Sequence, residues 1–597
     1  MGLFQKAVET YDAMQSLVGK KQANRDEVLA PIGYVVRPAG IEITVDADGN
    51  FVRATKIDEK IPIPCTEKSS GRSSGLAPHP LCDNLGYVTE KDAEKHALYL
   101  SGIKSWIDSG YGNSKLDAIY TYLVKGCVLR DCKESEVLQY HKDGNLSNEN
   151  SIVTWRVVGL GEDSGAVHED LQLMKNYSEY YINRNQAPKG LCMVSGTCDS
   201  IVSKHPGVIG QARIVSSNDK ENFTYLGRFS VAKGMPKGYE AYEALTIGYI
   251  SSQKAHNILR WLLSDDSTCI TVGNRKILCW NPQGKIIKSP TLPLIPQTNS
   301  KIIPSDYGRV LRDAINGYKS NFSEQDSVVI AAFEDINSGK GRLSVTYYNE
   351  LEYSDFLDRL YYWDNTCCWY DNRWGVQSPP LSQIVKYAFG TEKSGEIKCD
   401  TRVWGQQVQR LISCRLDKAR FPMDIMRNLV IKASNLQIYK GNNADNILFV
   451  TCAVIKKFRH DYLKEEWEMA LDENKMDRSY QFGRLLAVLE RIEIVACRGD
   501  KKRDTNAIRT QAFFSKRPLT AFTQIMTSLK TGYYPRLSVG ARTYYEKLIG
   551  EIMEKISLSG EDALDKPLTE TYLMGYYLQK NAFALYTKRE TESVEEE

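Results

Sequence analysis

Nowhere does the sequence run for about twenty apolar residues, so no helix is expected to cross a bilayer. The first eight residues lack the charged and apolar regions of a secretion signal and read as an amphipathic helix, which places the chain in the cytoplasm. Met1-Gly2 opens a myristoylation pattern, but Lys6 stands where that pattern needs Ser or Thr. Neither sign of charge is in large excess: the net value is +3, so any field felt by a polyanion must come from local clustering. Catalytic signatures are also scarce. Ser338-Gly339-Lys340-Gly341-Arg342 has neither the spacing nor the final hydroxyl of a phosphate-cradling loop and suits a glycine turn between strands. A nucleophile elbow, a kinase signature and a dinucleotide fingerprint are all missing. With only seven histidines, His460-Asp461 resembles a metal-nuclease dyad without a partner cluster, and it reads as part of a surface helix.

A chain of 597 residues is too long for one ordinary core and predicts roughly two to four domains. Its 42% apolar and 25% charged residues are those of a globular protein. Fourteen cysteines spread over this length without a secretion signal read as reduced core residues. Cys192, Cys198 and His205 lack the spacing of a zinc hook and a fourth ligand. Asp46-Ala47-Asp48-Gly49 begins like a calcium loop, but flanking strands make it a hairpin turn. No metal and no cofactor is implied.

Strand patterns occupy Gly33 to Arg37, Ile41 to Val45 and Phe51 to Thr55, predicting an antiparallel sheet, and helical spacing follows from Glu90 to about Cys127. Ser151 to Val158, Ile277 to Trp280, Ser327 to Ala332 and Leu343 to Tyr348 read as further strands. From Glu350 onward helical spacing dominates, and in the last fifth it breaks at Gly499-Asp500, Pro518, Gly532 to Pro535, Gly560 and Pro567. The expected fold class is α+β: a mixed region over 1–350, a helical connection over 351–475 and a bundle of about five helices over 476–597. Glu592 to Glu597 reads as a solvated acidic tail.

In the first bundle helix Phe482, Leu485, Leu486, Leu489, Ile492 and Ala496 fall on one face at about 100° per residue. Arg484, Arg491 and Arg498 recur at seven-residue steps and are expected to project away from that face. Lys501, Lys502, Arg503 and Arg509 continue the positive charge. Lys516 and Arg517 precede Pro518, which suits a first helical position, and cations there oppose the helix dipole unless an anion binds. Arg536, Arg542 and Lys547 extend the set, and Tyr533, Tyr534, Tyr544 and Tyr545 offer either stacking surfaces or, as paired aromatics usually do, core. A polyanion is the natural partner of such a stripe, and a plain solvated face is the bland alternative.

Tyr480-Gln481-Phe482-Gly483-Arg484-Leu485-Leu486, Ala512-Phe513-Phe514-Ser515-Lys516-Arg517-Pro518, Tyr534-Pro535-Arg536-Leu537 and Leu573-Met574-Gly575-Tyr576-Tyr577 closely resemble segments of the type I-C CRISPR Cascade large subunit. Upstream, Ser73-Ser74-Gly75-Leu76-Ala77-Pro78, Leu81-Cys82-Asp83-Asn84, Gly341 to Tyr348 and Asn349-Glu350-Leu351 resemble the same family in the same order. Beyond His205-Pro206, the run through Ser216-Ser217-Asn218 and Tyr225-Leu226-Gly227-Arg228 departs from its pattern. The resemblance implies a non-catalytic subunit that senses a short flanking motif on duplex DNA, typically a T-rich triplet ending in C, while crRNA reads the target by base pairing. Candidates for that duplex contact are Arg72, Ser73, Ser74 and Asn84. The basic bundle would hold the displaced non-target strand. Expected partners are the crRNA-containing Cascade backbone and its crRNA-processing subunits, a helicase-nuclease that does the cutting, and small subunits from the same gene. Met476, with Met469 as runner-up, is the expected internal start of the latter. Two other classes remain open: a metal-dependent nuclease around His460-Asp461, and a protein-only scaffold whose basic face meets an acidic partner.

Overall fold

A computed structural model describes the chain except residues 1, 24, 73–74, 162–164, 185–186, 188, 203, 216–245, 297–300, 321, 324–325, 336–338, 340, 498–503, 561–563 and 596–597. The chain is α+β and divides into two compact units. The first comprises residues 1–271, 275–287 and 327–350, and the second 272–274, 288–326 and 351–597.

In the first unit the segments expected as two strands form one, β1 (Tyr34–Asp46), which pairs antiparallel with β2 (Phe51–Pro64). A register shift between Ala39 and Ile41 lets the strand pass through Pro38 and Gly40 unbroken. Pro38 can sit there because β3 (Ile152–Val158), on the other side, pairs only from Ala39 onward. This third strand runs parallel to β1, so the sheet is mixed rather than antiparallel. A parallel neighbour needs a long crossover. The helices Ala93–Trp106 and Ser114–Val124 lie in it, separated where Gly110 takes φ +80°. Glu42 and Thr44 are buried along with Ile41, Ile43 and Val45, so both faces of β1 are covered. A second sheet has the strand order Cys269–Val272, Arg275–Trp280, Ser327–Asp335, Leu343–Glu352. Leu278, Trp280, Val329 and Phe333 from it share a core with Ala7, Tyr11, Ile258 and Leu259 of the helices Leu3–Ala13 and Tyr249–Leu263.

The second unit is mainly helical, with two short hairpins, Trp369–Asp371 with Gly375–Gln377 and Thr391–Lys393 with Glu396–Lys398. Residues 288–326 belong to it. Arg415 donates to Pro290 O (3.1 Å) and Leu292 O (2.8 Å), and pairs with the buried Asp364 at 2.8 Å. The carboxylate of this buried pair is met from a second side as well: Asp364 accepts from the Leu294 amide at 2.6 Å. The terminal bundle has helices Arg478–Ala496, Asn506–Phe514, Pro518–Gly532, Val539–Leu558 and Thr571–Glu595. Pro518 takes the first position of its helix, and Gly560, at φ +76°, follows Leu558. The last helix runs to Glu595, so the acidic end is not wholly a loose tail.

Candidate nucleic-acid interface

The helix Arg478–Ala496 is the centre of the bundle. Gly483 and Gly575 mark where it crosses the helix Thr571–Glu595: a Cβ on Gly483 would lie 1.9 Å from Tyr572 O, and one on Gly575 2.1 Å from Tyr480 O. No side chain fits at either point. Helices this close bury one another's polar positions as well. Gln481, Arg484, Glu490 and Glu493 are buried along with Phe482 and Leu489.

Arg484 therefore does not project outward. Its side chain is 1% exposed, and its guanidinium donates to Gln579 Oε1 (2.9 Å), Gln481 Oε1 (3.0 Å) and Glu473 O (3.0 Å). Burial pulls its pKa down against the nearby Tyr480 and Glu473. Arg491 is partly buried, with its guanidinium 5.9 Å from the Phe583 ring. Arg498, Lys501, Lys502 and Arg503 lie outside the described residues.

The exposed cations stand further along. Arg509, Lys516, Arg517, Arg536, Arg542 and Lys547 are all exposed, as is Lys530, which the arginine spacing does not select. Between Asp504 and Glu546 the sequence has no acidic residue at all, and that run is the signal that would have selected Lys530. The solvent face of the helix Pro518–Gly532 carries Thr520, Thr523, Gln524, Thr527, Ser528 and Thr531, polar groups that bring no carboxylate to neutralise Lys530. Arg517 lies 3.8 Å from Asp565, while Arg542 and Lys547 pair along their own helix with Glu546 and Glu551. Asp565 also fills the helix start where a phosphate was expected: its carboxylate accepts from Leu519 N (2.9 Å), Thr520 N (3.0 Å) and Thr520 Oγ1 (2.7 Å). The dipole conflict is thus settled within the chain. Tyr533, Tyr534 and Tyr545 are core, and Tyr544 is half exposed.

Met476 is exposed, but the residues just before it are built into the bundle. Glu473 O accepts from Arg484, Gln481 Nε2 (3.3 Å) and Lys555 Nζ (2.7 Å), Lys475 O accepts from Gln481 Nε2 (2.6 Å), and the Asp472 amide donates to Tyr480 OH (3.1 Å).

In the first unit Arg72 is engaged by Asp83 through two hydrogen bonds of 2.8 and 2.6 Å, and Asn84 precedes the short helix Leu85–Val88 without a side-chain capping bond. Ser73, Ser74 and the divergent run through Ser216 and Arg228 lie outside the described residues. The zinc candidates do not converge on a ligand set. Cys198 is exposed, Cys192 is buried beside Ser251, and His205 contacts Ser252 Oγ at 2.9 Å. His460 contacts Glu466 at 2.8 Å, whereas Asp461 is buried and accepts from Lys457 (2.7 Å) and Phe421 N (3.1 Å). The two neighbours serve different partners. Among the described residues no group of three or more His, Cys, Asp or Glu side chains is placed to hold a metal, and no helix is long and apolar enough to cross a membrane.

Residues 8–584 match the family model described as CRISPR-associated protein (Cas_Csd1). The chain belongs to that family. No curated protein in the comparison matches it. The Cas_Csd1 family is that of the type I-C Cascade large subunit, a structural component of the effector, and the match takes in the Arg72 loop, both sheets and nearly the whole bundle.

Proposed function

We propose that the chain recognises the flanking motif on duplex DNA, promotes opening of the duplex as crRNA pairs with the target, and holds the displaced strand along its C-terminal bundle. The observation that carries this reading is the exposed set Arg509, Lys516, Arg517, Lys530, Arg536 and Arg542 on a stretch without acids. Cations spaced along a polar, hydroxyl-bearing surface suit a phosphate backbone and carry no sequence preference. Cleavage, on this reading, belongs to a recruited helicase-nuclease.

A small subunit made from the same gene begins, on this reading, at Met469 rather than Met476. A chain starting at Met476 would lack Glu473 and Lys475, leaving Arg484 and Gln481 buried without those carbonyl acceptors.

Replacing Arg509, Lys516, Lys530 and Arg536 by Gln in the assembled effector tests the strand contact. Each lost phosphate contact lowers the slope of log affinity against log salt by roughly 0.7. The account expects a shallower slope with unchanged flank preference. An unaltered slope removes the bundle from the DNA path.

A further inference from the structure

Asp83 is fully buried, and its carboxylate accepts four hydrogen bonds. Oδ1 takes the Arg72 Nη2 donor (2.6 Å) and the Asn84 amide (2.7 Å). Oδ2 takes Arg72 Nη1 (2.8 Å) and the His79 amide (2.7 Å). The other loop contacts turn inward in the same way. Arg72 Nη1 also donates to Ala77 O at 2.8 Å, and its guanidinium lies 4.4 Å from the Tyr87 ring centre. The Tyr87 hydroxyl donates to Gly75 O and accepts from the Ala77 amide, each at 3.3 Å. Leu81, held at φ +65°, offers its carbonyl to Tyr99 OH (2.5 Å) and Trp155 Nε1 (2.8 Å). Finally Asp83 O accepts from Val153 N at 2.8 Å and Ser151 O accepts from Leu85 N at 3.2 Å, which fastens the end of the loop to β3.

The Asp83 carboxylate thus ties Arg72 to His79 and Asn84, and backbone bonds from Asp83 and Leu85 tie that end to the sheet. Arg72, with its guanidinium committed to Asp83, Ala77 and Tyr87, has little left for a base edge. Asn84 follows directly, its amide fixed by Asp83 while its side chain makes no capping bond. We infer that Asp83 and Arg72 are positioning residues for flanking-motif discrimination, acting through Asn84, whose backbone amide Asp83 holds while Arg72 holds Asp83. This deepens the flank-recognition reading above and rests on it. Recognition of a base edge needs a polar group held in place before binding, since ordering a loose one on contact costs affinity for right and wrong sequences alike.

The test uses the assembled effector with Asp83→Asn, Arg72→Lys and Asn84→Ala. The probes are duplexes carrying either a T-rich triplet ending in C or a G-rich triplet beside the target, and the same target opened in advance by mismatches. Asp83→Asn keeps the shape but loses the charge that holds the guanidinium. The inference expects it to cut the affinity ratio between the two flanks about tenfold, matching Asn84→Ala, while binding to the pre-opened target is unchanged; Arg72→Lys retains an intermediate ratio. If Asn84→Ala loses discrimination and Asp83→Asn keeps it, the positioning role is overturned and the flank reading stands. If neither changes the ratio, both fall. An equal loss on the pre-opened target makes Asp83 merely a fold residue and also overturns the role.

Discussion

Arg484 and Arg509 carry the same charge in the same bundle, yet one is 1% exposed and the other faces solvent. A guanidinium is tolerated inside only where acceptors meet it, and Arg484 has Gln579, Gln481 and Glu473. Reversing its charge therefore breaks the helix packing rather than a DNA contact. Seven-residue spacing could not reveal this, because it locates residues relative to one apolar stripe, and a helix covered on every side has no outward face. Titration is equally a matter of single residues. Burial lowers the pKa of both His79 and His256 from 6.5 to about 4; near His79, Asp83 opposes that shift while Arg72 and Arg37 add to it. The unfolded chain then binds the proton more readily, so the stabilising effect is complete above pH 6.5 and is lost as pH falls through that value toward 4. Each histidine is worth at most about 3 kcal/mol over that window. Denaturation followed across that range is expected to show the first unfolding transition weakening with acid, and His79→Gln with His256→Gln to flatten the dependence. An equally steep dependence in the double variant would place the acid sensitivity elsewhere.

Among the elements, the central bundle helix and the segment before it decide where the terminal module begins. Asp472 to Lys475 form no regular structure of their own, yet their backbone groups meet the Tyr480, Gln481, Arg484 and Lys555 side chains. Intact-mass analysis of effector purified from the unmodified gene is expected to find a small subunit beginning at Met469, and replacement of the Met469 codon to remove it while replacement at Met476 does not. A product beginning at Met476 contradicts this. Much of the bundle was legible in the sequence: Pro518, Gly532 to Pro535 and Gly560 punctuate it where expected, because proline and glycine act through local backbone geometry. The close crossing at Gly483 and Gly575 was not, since neither glycine sits at a turn and only the partner helix explains it. In the sheet the turn at Asp46 to Asn50 follows from its residues, whereas the parallel pairing of β3 depends on a long-range choice that strand patterning does not encode.

For the whole molecule, a net charge of +3 hides an uneven distribution, and that distribution is what the proposed function uses. The α+β order was readable because the hydrophobic period changes near Glu350, but the allotment of residues 288–326 to the second unit was not, since it depends on the buried Arg415 reaching Pro290 and Leu292. What the bundle touches in the working effector is most directly read by site-specific photo-crosslinking from Thr523 and Thr527, which lie exposed on the acid-free helix. With target DNA unwound by crRNA, the account predicts cross-links to the displaced strand that disappear when that strand is omitted. Cross-links to protein alone, unchanged by the presence of the strand, would contradict it.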